Sequence, residues 1–389
     1  MPFMPPIRFF LSDQTSPVTS QHPLWKKALP QNRHFETSSE TTLTYGAYYR
    51  AISDYLGKLG PVRLSEIASQ FADRPINPEA ISQLDIHLEK HGAFYHPARL
   101  ILHVNAERIA CVVNVAVSKL GQDTINKEFH HLRRLSLRYA NNWLPQVYDC
   151  QALTIDGQAD VHMLLGEWFD GFHEFHLSKA NNSEGLAIRV WDSGNPNHFL
   201  SSNQVQQIFE QAAMILTAHY RLDTTEQIAA WHHAAGDFVV CVQPPDILVK
   251  LVTVRQYEPL FNLGQAEDSL ETILNTALIF FLNMCLKLRI DRLDGVGGVV
   301  WNNLEVVPGI MAGFFKGLEL QAKPKRVSPE LIDAITIFFL NLSEKDIQDL
   351  CTDLVGRIEP QSPDLPVVRQ NLDNHIASVI NALSQLGSL

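Results

Sequence analysis

The chain has 389 residues, of which 46% are hydrophobic and 19% are charged, and its formal net charge is −11. This composition allows two or three domains with a sizeable core and excludes a globally disordered chain. No run of lysine and arginine follows a pattern that would track a phosphate backbone, so we expect no nucleic-acid partner.

The longest apolar segment, Ile273 to Leu288, is interrupted by Asn275 and Asn283. It falls short of the roughly 20 apolar residues that cross a bilayer, so it predicts a buried helix and no membrane partner. The N-terminus has no basic region followed by a long apolar run, and the five cysteines are widely spaced without a Cys-x-x-Cys pair. Both features favour a cytoplasmic protein with reduced thiols.

Residues 1–75 predict an N-terminal arm and a helical extension. The first 45 residues are rich in Pro, Ser, Thr and Gln, which is typical of an extended arm. From Tyr48 to Phe71 the apolar residues recur at helical spacing, and Gly60-Pro61 divides this stretch into two short helices.

Residues 76–171 predict a small, antiparallel, β-rich lobe. Three strands between Ile81 and Val117 precede a helix from Thr124 to Leu137, and a strand pair over 146–153 and 161–168 follows. Residues 172–389 predict a larger, mainly helical lobe, with helices over 204–220 and 270–288 and a strand-rich insert between them. The pattern as a whole therefore predicts an α+β fold of two lobes.

One segment carries a recognisable motif, Ala230 to Val240, which reads Ala-Trp-His-His-Ala-Ala-Gly-Asp followed by an apolar strand. It resembles the catalytic loop of the protein-kinase-like phosphotransferases, in the aminoglycoside and choline kinase branch, which reads roughly His-Gly-Asp-x-His-x-Gly-Asn. In this alignment Asp237 takes the place of the metal-binding Asn, and His232 takes the place of the catalytic Asp. The resemblance implies a protein-kinase-like two-lobe fold.

The resemblance also implies positions for ATP or another nucleotide with Mg²⁺ in the small lobe. Gly92 lies in the loop that would cover the phosphates, although this loop also carries bulky residues and the alternative is simply a tight hairpin. Asn114 stands where the third strand carries the phosphate-binding Lys, and it cannot supply that positive charge. Glu128 matches the helix Glu that holds this Lys; the alternative is a solvated helix residue.

Three further positions follow from the same resemblance. Glu167 and Phe169 lie in a segment that resembles the hinge between lobes, where backbone groups bind adenine. Thr253 falls where a second metal-binding Asp is expected, and its neutral hydroxyl is a weaker magnesium ligand than a carboxylate. Asp237 would then be the remaining carboxylate for the metal.

The missing groups together predict a kinase-like protein without ordinary kinase activity, because phosphoryl transfer depends on positioning and charge stabilisation. The function expected is a non-catalytic ligand- or nucleotide-binding or regulatory protein. Its partner would be a small molecule in the cleft between the lobes or a protein. Trp231 would pack against a planar ligand there, or would anchor the core beneath the loop.

Two alternatives stay open. A divergent phosphotransferase or nucleotidyl transferase would use His232 and Asp237 as catalytic residues, with the imidazole as a general base near neutral pH. A metal-dependent enzyme would instead use His232, His233 and Asp237 as ligands.

Overall fold

The structure is a computed structural model. It describes residues 4–12, 14–30, 43–92, 94–155, 159–180, 185–192, 194–195, 198–229, 231, 234–261 and 269–386. The chain divides into two compact units, unit 1 (Met1–Asp170) and unit 2 (Gly171–Leu389).

Unit 1 is built on a six-stranded sheet with the order β1-β2-β3-β4-β6-β5. The strands are β1 (Ile7–Leu11), β2 (Ile81–Leu88), β3 (His96–Val104), β4 (Glu107–Ala116), β5 (Val147–Ile155) and β6 (Ala159–Glu167). All neighbours are antiparallel except β1 and β2, which are parallel. The antiparallel sheet predicted between residues 81 and 117 is therefore confirmed, and β1 is an addition that the sequence pattern did not indicate.

Helix α1 (Tyr45–Ala72) covers one face of this sheet. Its course breaks at Gly60, which has φ 81° and ψ 161° and is followed by Pro61. A positive φ suits glycine, and proline cannot donate a helical hydrogen bond, so the predicted division into two helices is confirmed. The tyrosines Tyr48, Tyr49 and Tyr55 are fully buried in the same apolar cluster as the inward residues of the sheet. The segment predicted as a helical extension thus supplies much of the core of unit 1.

Helix α2 (Lys119–Leu135) lies between β4 and β5 in the chain and contacts β4, β5 and β6. The hydroxyl of Ser118 accepts a hydrogen bond from the backbone N–H of Gly121 and so caps its first turn. Ile125 packs with Ala116 and Leu164 in a second apolar cluster of unit 1. Two short 3-10 helices, Pro23–Lys26 and Pro78–Ala80, complete the described elements of this unit.

Unit 2 is mainly helical and also contains four two-stranded antiparallel sheets. Its helices are α3 (Ser202–Ala218), α4 (Ala234–Asp237), α5 (Leu270–Lys287), α6 (Val307–Ala322), α7 (Pro329–Leu340), α8 (Glu344–Gly356) and α9 (Asp364–Leu386), with a 3-10 helix at Leu293–Gly295. Its strands are β7 (Phe175–Lys179), β8 (Leu186–Val190), β9 (Glu226–Ala229), β10 (Phe238–Gln243), β11 (Asp246–Leu251), β12 (Gln256–Pro259), β13 (Ile290–Arg292) and β14 (Val299–Trp301). The sheets pair β7 with β8, β9 with β12, β10 with β11, and β13 with β14. The α+β class is confirmed, and the hairpin predicted between α3 and α5 is formed by β10 and β11.

Helix α5 lies in the core of unit 2. The ring of Phe280 stacks on Tyr220 with centroids 4.1 Å apart, and Phe281 packs against Phe314 and Phe339. Among the described residues, α5 is the one helix long and apolar enough to cross a membrane by length and composition, and half of it is buried within the protein. The prediction of a buried helix is confirmed. All five cysteines are free, as expected.

A stripe of glycines lets α6 approach α3 closely. Gly309, Gly313 and Gly317 recur every four residues and face α3. A β-carbon at Gly313 would collide with the carbonyl oxygen of Glu210, and one at Gly317 would lie 2.5 Å from the β-carbon of Thr217. The two helices therefore pack with backbone against backbone along this line.

Candidate functional site

The β10–β11 hairpin brings together two of the residues predicted for the site. Phe238 pairs with Leu251, and the backbone N–H of Val252 donates to the carbonyl oxygen of Asp237 over 2.9 Å. Asp237, before β10, and Thr253, after β11, consequently lie at the same end of the hairpin. Both residues are buried.

Asp237 forms an ion pair with Arg255, a residue that is not among the predicted site residues. Its Nη2 donates to Oδ1 of Asp237 over 2.7 Å, and its Nη1 lies 3.2 Å from Oδ2. The side chains are 8% and 18% exposed for Asp237 and Arg255. A guanidinium stays protonated in proteins and contacts a carboxylate through two nitrogens at once, so each carboxylate oxygen of Asp237 already faces a positive charge.

This contact changes the chemistry available at the hairpin end. A divalent cation binding Asp237 would have to displace Arg255 or share the carboxylate with it, and like charges repel across a buried site. Thr253 adds a neutral oxygen and no second carboxylate. The positive charge that balances Asp237 is thus supplied by Arg255.

Trp231, the second residue of the motif, is almost fully buried. The ammonium group of Lys287 lies 5.3 Å from the centroid of its ring, a cation–π geometry. Trp231 is therefore packed into unit 2, as its alternative interpretation as a core anchor requires. His232 and His233 lie outside the described residues, so the roles proposed for them stay predictions.

In unit 1, the loop between β2 and β3 is closed by its own hydrogen bonds. The backbone N–H of Gly92 donates to the carbonyl oxygen of Tyr95 over 2.9 Å, and Glu89 bonds Pro97 in the same way. Nδ1 of His91 lies 2.9 Å from Nδ1 of His96, and burial together with the neighbouring His91 lowers the pKa of His96 to about 4. The N–H of Gly92 is therefore engaged within the turn, which favours the tight-hairpin interpretation over a phosphate-covering loop.

Asn114 and Glu128 occupy different environments in unit 1. Asn114 lies near the C-terminal end of β4, half-buried, opposite Pro97 on β3 and Leu164 on β6. Glu128 is 1% exposed, on the buried face of α2 together with Ile125 and Leu132. The alternative of a solvated helix glutamate is therefore wrong. Burial raises the pKa of the nearby Cys150 thiol to about 12, with smaller contributions from the charges of Asp149 and Glu128.

The hinge-like segment begins at the end of β6. The backbone N–H of Glu167 donates to the carbonyl oxygen of Gln146 over 2.8 Å, and Oε2 of Glu167 accepts from the N–H of Gln146 over 3.1 Å. This reciprocal pair joins the end of β6 to the residue before β5, so the N–H of Glu167 is not available to adenine. Phe169 is buried immediately after the strand.

A second buried ionic group lies in unit 2, outside the predicted set. Nδ1 of His176 donates to Oδ1 of Asp291 over 3.1 Å, and Oδ2 of Asp291 accepts from the N–H of Leu177 over 2.7 Å. Burial alone would lower the pKa of His176, but its contacts with Asp291 and Glu174 outweigh burial and raise it to about 9. The imidazole is therefore positively charged near neutral pH, and the pair is an internal ion pair between β7 and β13.

Within the part of the chain that the structure describes, no three His, Cys, Asp or Glu side chains form a group able to hold a metal ion. The comparisons with known proteins add no constraint, since neither a protein-family model nor a curated protein matches the sequence.

Proposed function

We propose that this chain is a kinase-like protein that binds a ligand, with a nucleotide as the first candidate, and does not transfer phosphate. The observation that carries the proposal is the contact between Arg255 and Asp237. Of the residues aligned with phosphotransferase motifs, Asp237 is the one that retains a carboxylate for the metal, and a resident cation neutralises it.

The charges at the other aligned positions support the same conclusion. Asn114 replaces the cationic Lys and Thr253 replaces an acidic metal ligand, while His232 replaces the catalytic Asp. Catalysis of phosphoryl transfer is mostly electrostatic, and one such group contributes on the order of 3 kcal/mol to stabilisation of the transition state. Loss of three groups leaves binding, rather than turnover, as the function that the remaining residues can perform.

The arrangement of unit 1 is compatible with kinase-like ancestry. Three antiparallel strands precede α2, which packs on the sheet and carries the buried Glu128, and two further strands follow. In protein kinases the corresponding Glu pairs with a Lys on the third strand. Here Asn114 stands at the corresponding position of the strand, so no cation at that position can connect Glu128 of the helix to a phosphate group.

The proposal is tested by thermal unfolding of the full chain with adenosine, ADP, ATP and GTP, each with Mg²⁺ or with EDTA. A ligand that binds the native state raises the unfolding temperature by mass action. We expect stabilisation by a nucleotide that is the same with Mg²⁺ and with EDTA. Stabilisation that requires Mg²⁺ would contradict the proposal and favour a divergent transferase.

The R255Q variant sharpens this experiment. Its carboxylate at Asp237 no longer faces a guanidinium, so nucleotide stabilisation should become dependent on Mg²⁺ in R255Q. The R221Q variant is a matched control, because Arg221 forms a comparable pair with Asp223 on the exposed surface. If no nucleotide stabilises the wild-type protein, a nucleotide is excluded as the ligand and the regulatory, protein-binding form of the proposal remains.

A further inference from the structure

Arg289 carries a buried positive charge, and two of its three guanidinium nitrogens have no hydrogen-bond partner among the described residues. It follows α5 and is 4% exposed. Its Nη1 donates to the carbonyl oxygen of Asn302 over 2.9 Å and lies 3.5 Å from that of Leu304. Its Nε and Nη2 are buried and have no hydrogen-bond partner among the described residues. The guanidinium carbon lies 5.7 Å from the centroid of the Trp301 ring.

Other arginines of this protein show what that edge of the side chain binds. Nε and Nη2 together form the fork that holds a carboxylate through two parallel hydrogen bonds. Arg8 uses Nε and Nη2 to bind Asp85 over 2.9 and 2.8 Å. Arg221 uses the same two nitrogens to bind Asp223. Arg289 presents this fork in the interior, and within the described part of the chain no carboxylate occupies it.

A small cavity lies beside Arg289. It is lined by Arg289, Asp291 and Asn302, together with apolar side chains that include Phe175 and Phe209, and its volume is about 10 Å³. This is the space that one water-sized particle occupies. Asp291 already accepts hydrogen bonds from His176 and from the N–H of Leu177. Asp291 is therefore engaged by other donors, whereas the fork of Arg289 has no hydrogen-bond partner among the described residues. The charge of the exposed Glu305 acts on Arg289 without a hydrogen bond to this fork.

The environment of Arg289 is also apolar on the side of His375. His375 is fully buried, packs edge-on against Trp301, and neither ring nitrogen has a hydrogen-bond partner among the described residues. Burial and the charge of Arg289 lower the pKa of His375 to about 3, so it is neutral at physiological pH. A buried cation with unused hydrogen-bond donors is expensive in such an environment, and an anion bound at those donors offsets the cost.

We propose that the fork of Arg289 binds a small inorganic anion of the size of chloride in this cavity. A water molecule would satisfy the N–H groups but would place no negative charge beside the buried guanidinium. A phosphate or an organic carboxylate matches the fork but exceeds the space, and would require the lining side chains to move. The cavity is lined by none of Asp237, Thr253 and Arg255, and the proposal does not depend on the function proposed above.

The first test is thermal unfolding of the full chain at constant ionic strength, with sodium chloride replacing sodium gluconate. Wild-type protein should show a rise in unfolding temperature that saturates with chloride, as expected for a ligand of the native state. R289M should lose the saturating component. R289K keeps the charge but lacks the fork, so its apparent affinity for chloride should be about tenfold weaker or more. R221M should retain the wild-type response, because its fork is filled by Asp223.

Parallel titrations with formate and with phosphate test the size of the anion. A saturating response to either one without a response to chloride would overturn the proposal, as would a wild-type response that never saturates or that persists in R289M. If R289M does not fold, wild-type crystals grown in bromide decide the matter. An anomalous peak at hydrogen-bonding distance from Nε and Nη2 of Arg289 supports the site, and its absence there overturns it.

Discussion

Replacing Arg255 by glutamine should destabilise unit 2, because the buried carboxylate of Asp237 would lose its cationic partner. Removing one member of a fully buried ion pair costs about 3–5 kcal/mol. The side chain of Arg255 is 18% exposed, so water reaches the pair from one side. We therefore expect a loss of about 2–3 kcal/mol for R255Q, since part of the full penalty is screened. The reciprocal variant D237N leaves the more accessible charge of Arg255 and should lose about 1–2 kcal/mol.

Urea-induced unfolding followed by tryptophan fluorescence measures these changes. The double variant D237N/R255Q should be less destabilised than the sum of the single variants, with a coupling energy of about 1–3 kcal/mol for residues in direct contact. R221Q serves as the exposed control and should change stability by less than about 1 kcal/mol. If R255Q loses no more stability than R221Q, the reasoning that Arg255 neutralises a buried carboxylate is refuted. The same holds if Mg²⁺ stabilises the wild-type protein as much as it stabilises R255Q.

Two further predictions concern the other buried groups of unit 2. The pKa of His176 rises from 6.5 in the unfolded chain to about 9 in the folded protein. The free energy of unfolding should therefore fall by up to roughly 3 kcal/mol between pH 6.5 and pH 9. Urea unfolding of H176F at several pH values should show a weaker dependence on pH in this range. The pKa of His375 falls instead to about 3, so the free energy of unfolding should also fall as the pH drops below 6.5. H375F should weaken this dependence at acid pH. An unchanged pH profile in H176F or H375F would contradict the role given to that histidine. Gly295 has φ +70°, and a β-carbon there would lie 2.7 Å from Nε2 of His176, so G295A should lose about 1–3 kcal/mol in thermal unfolding, whereas G298A, with open space around it, should change little. Equal effects of the two alanines would remove the steric argument.

The sequence predicts the sheet of unit 1 best where a strand alternates between buried and half-buried residues, as β3 and the central part of β4 do. Along β3 the pattern repeats every second residue from His96 to Val104. The parallel strand β1 escapes prediction, because it has five residues and depends on pairing with β2, more than 70 positions away. The short strands β13 and β14 have three residues each, too few for a period to be recognised.

The candidate site was predicted only in part for a similar reason. The pairing of β10 with β11 places Thr253 at the end of the hairpin where Asp237 lies. Nothing in the spacing identifies Arg255 as the partner of Asp237, because a side-chain contact across a turn leaves no periodic signal. The burial of Arg289 could not be predicted either. An arginine just after a helix is usually a solvated residue near the helix C-terminus. Arg289 is buried because β14 packs against it.

We propose that this protein does not transfer phosphate, and an assay with radiolabelled ATP tests this proposal most directly. Purified full chain is incubated with γ-labelled ATP and Mg²⁺ or Mn²⁺, and label is followed into protein, into small-molecule acceptors and into free phosphate. Each replaced group lowers the rate by on the order of 100-fold, although such effects do not add strictly. We expect no transfer of label above the protein-free control. R255Q should not restore transfer, since Asn114, His232 and Thr253 are unchanged in this variant. Robust phosphorylation that H232A abolishes would contradict the account and identify a histidine-based transferase.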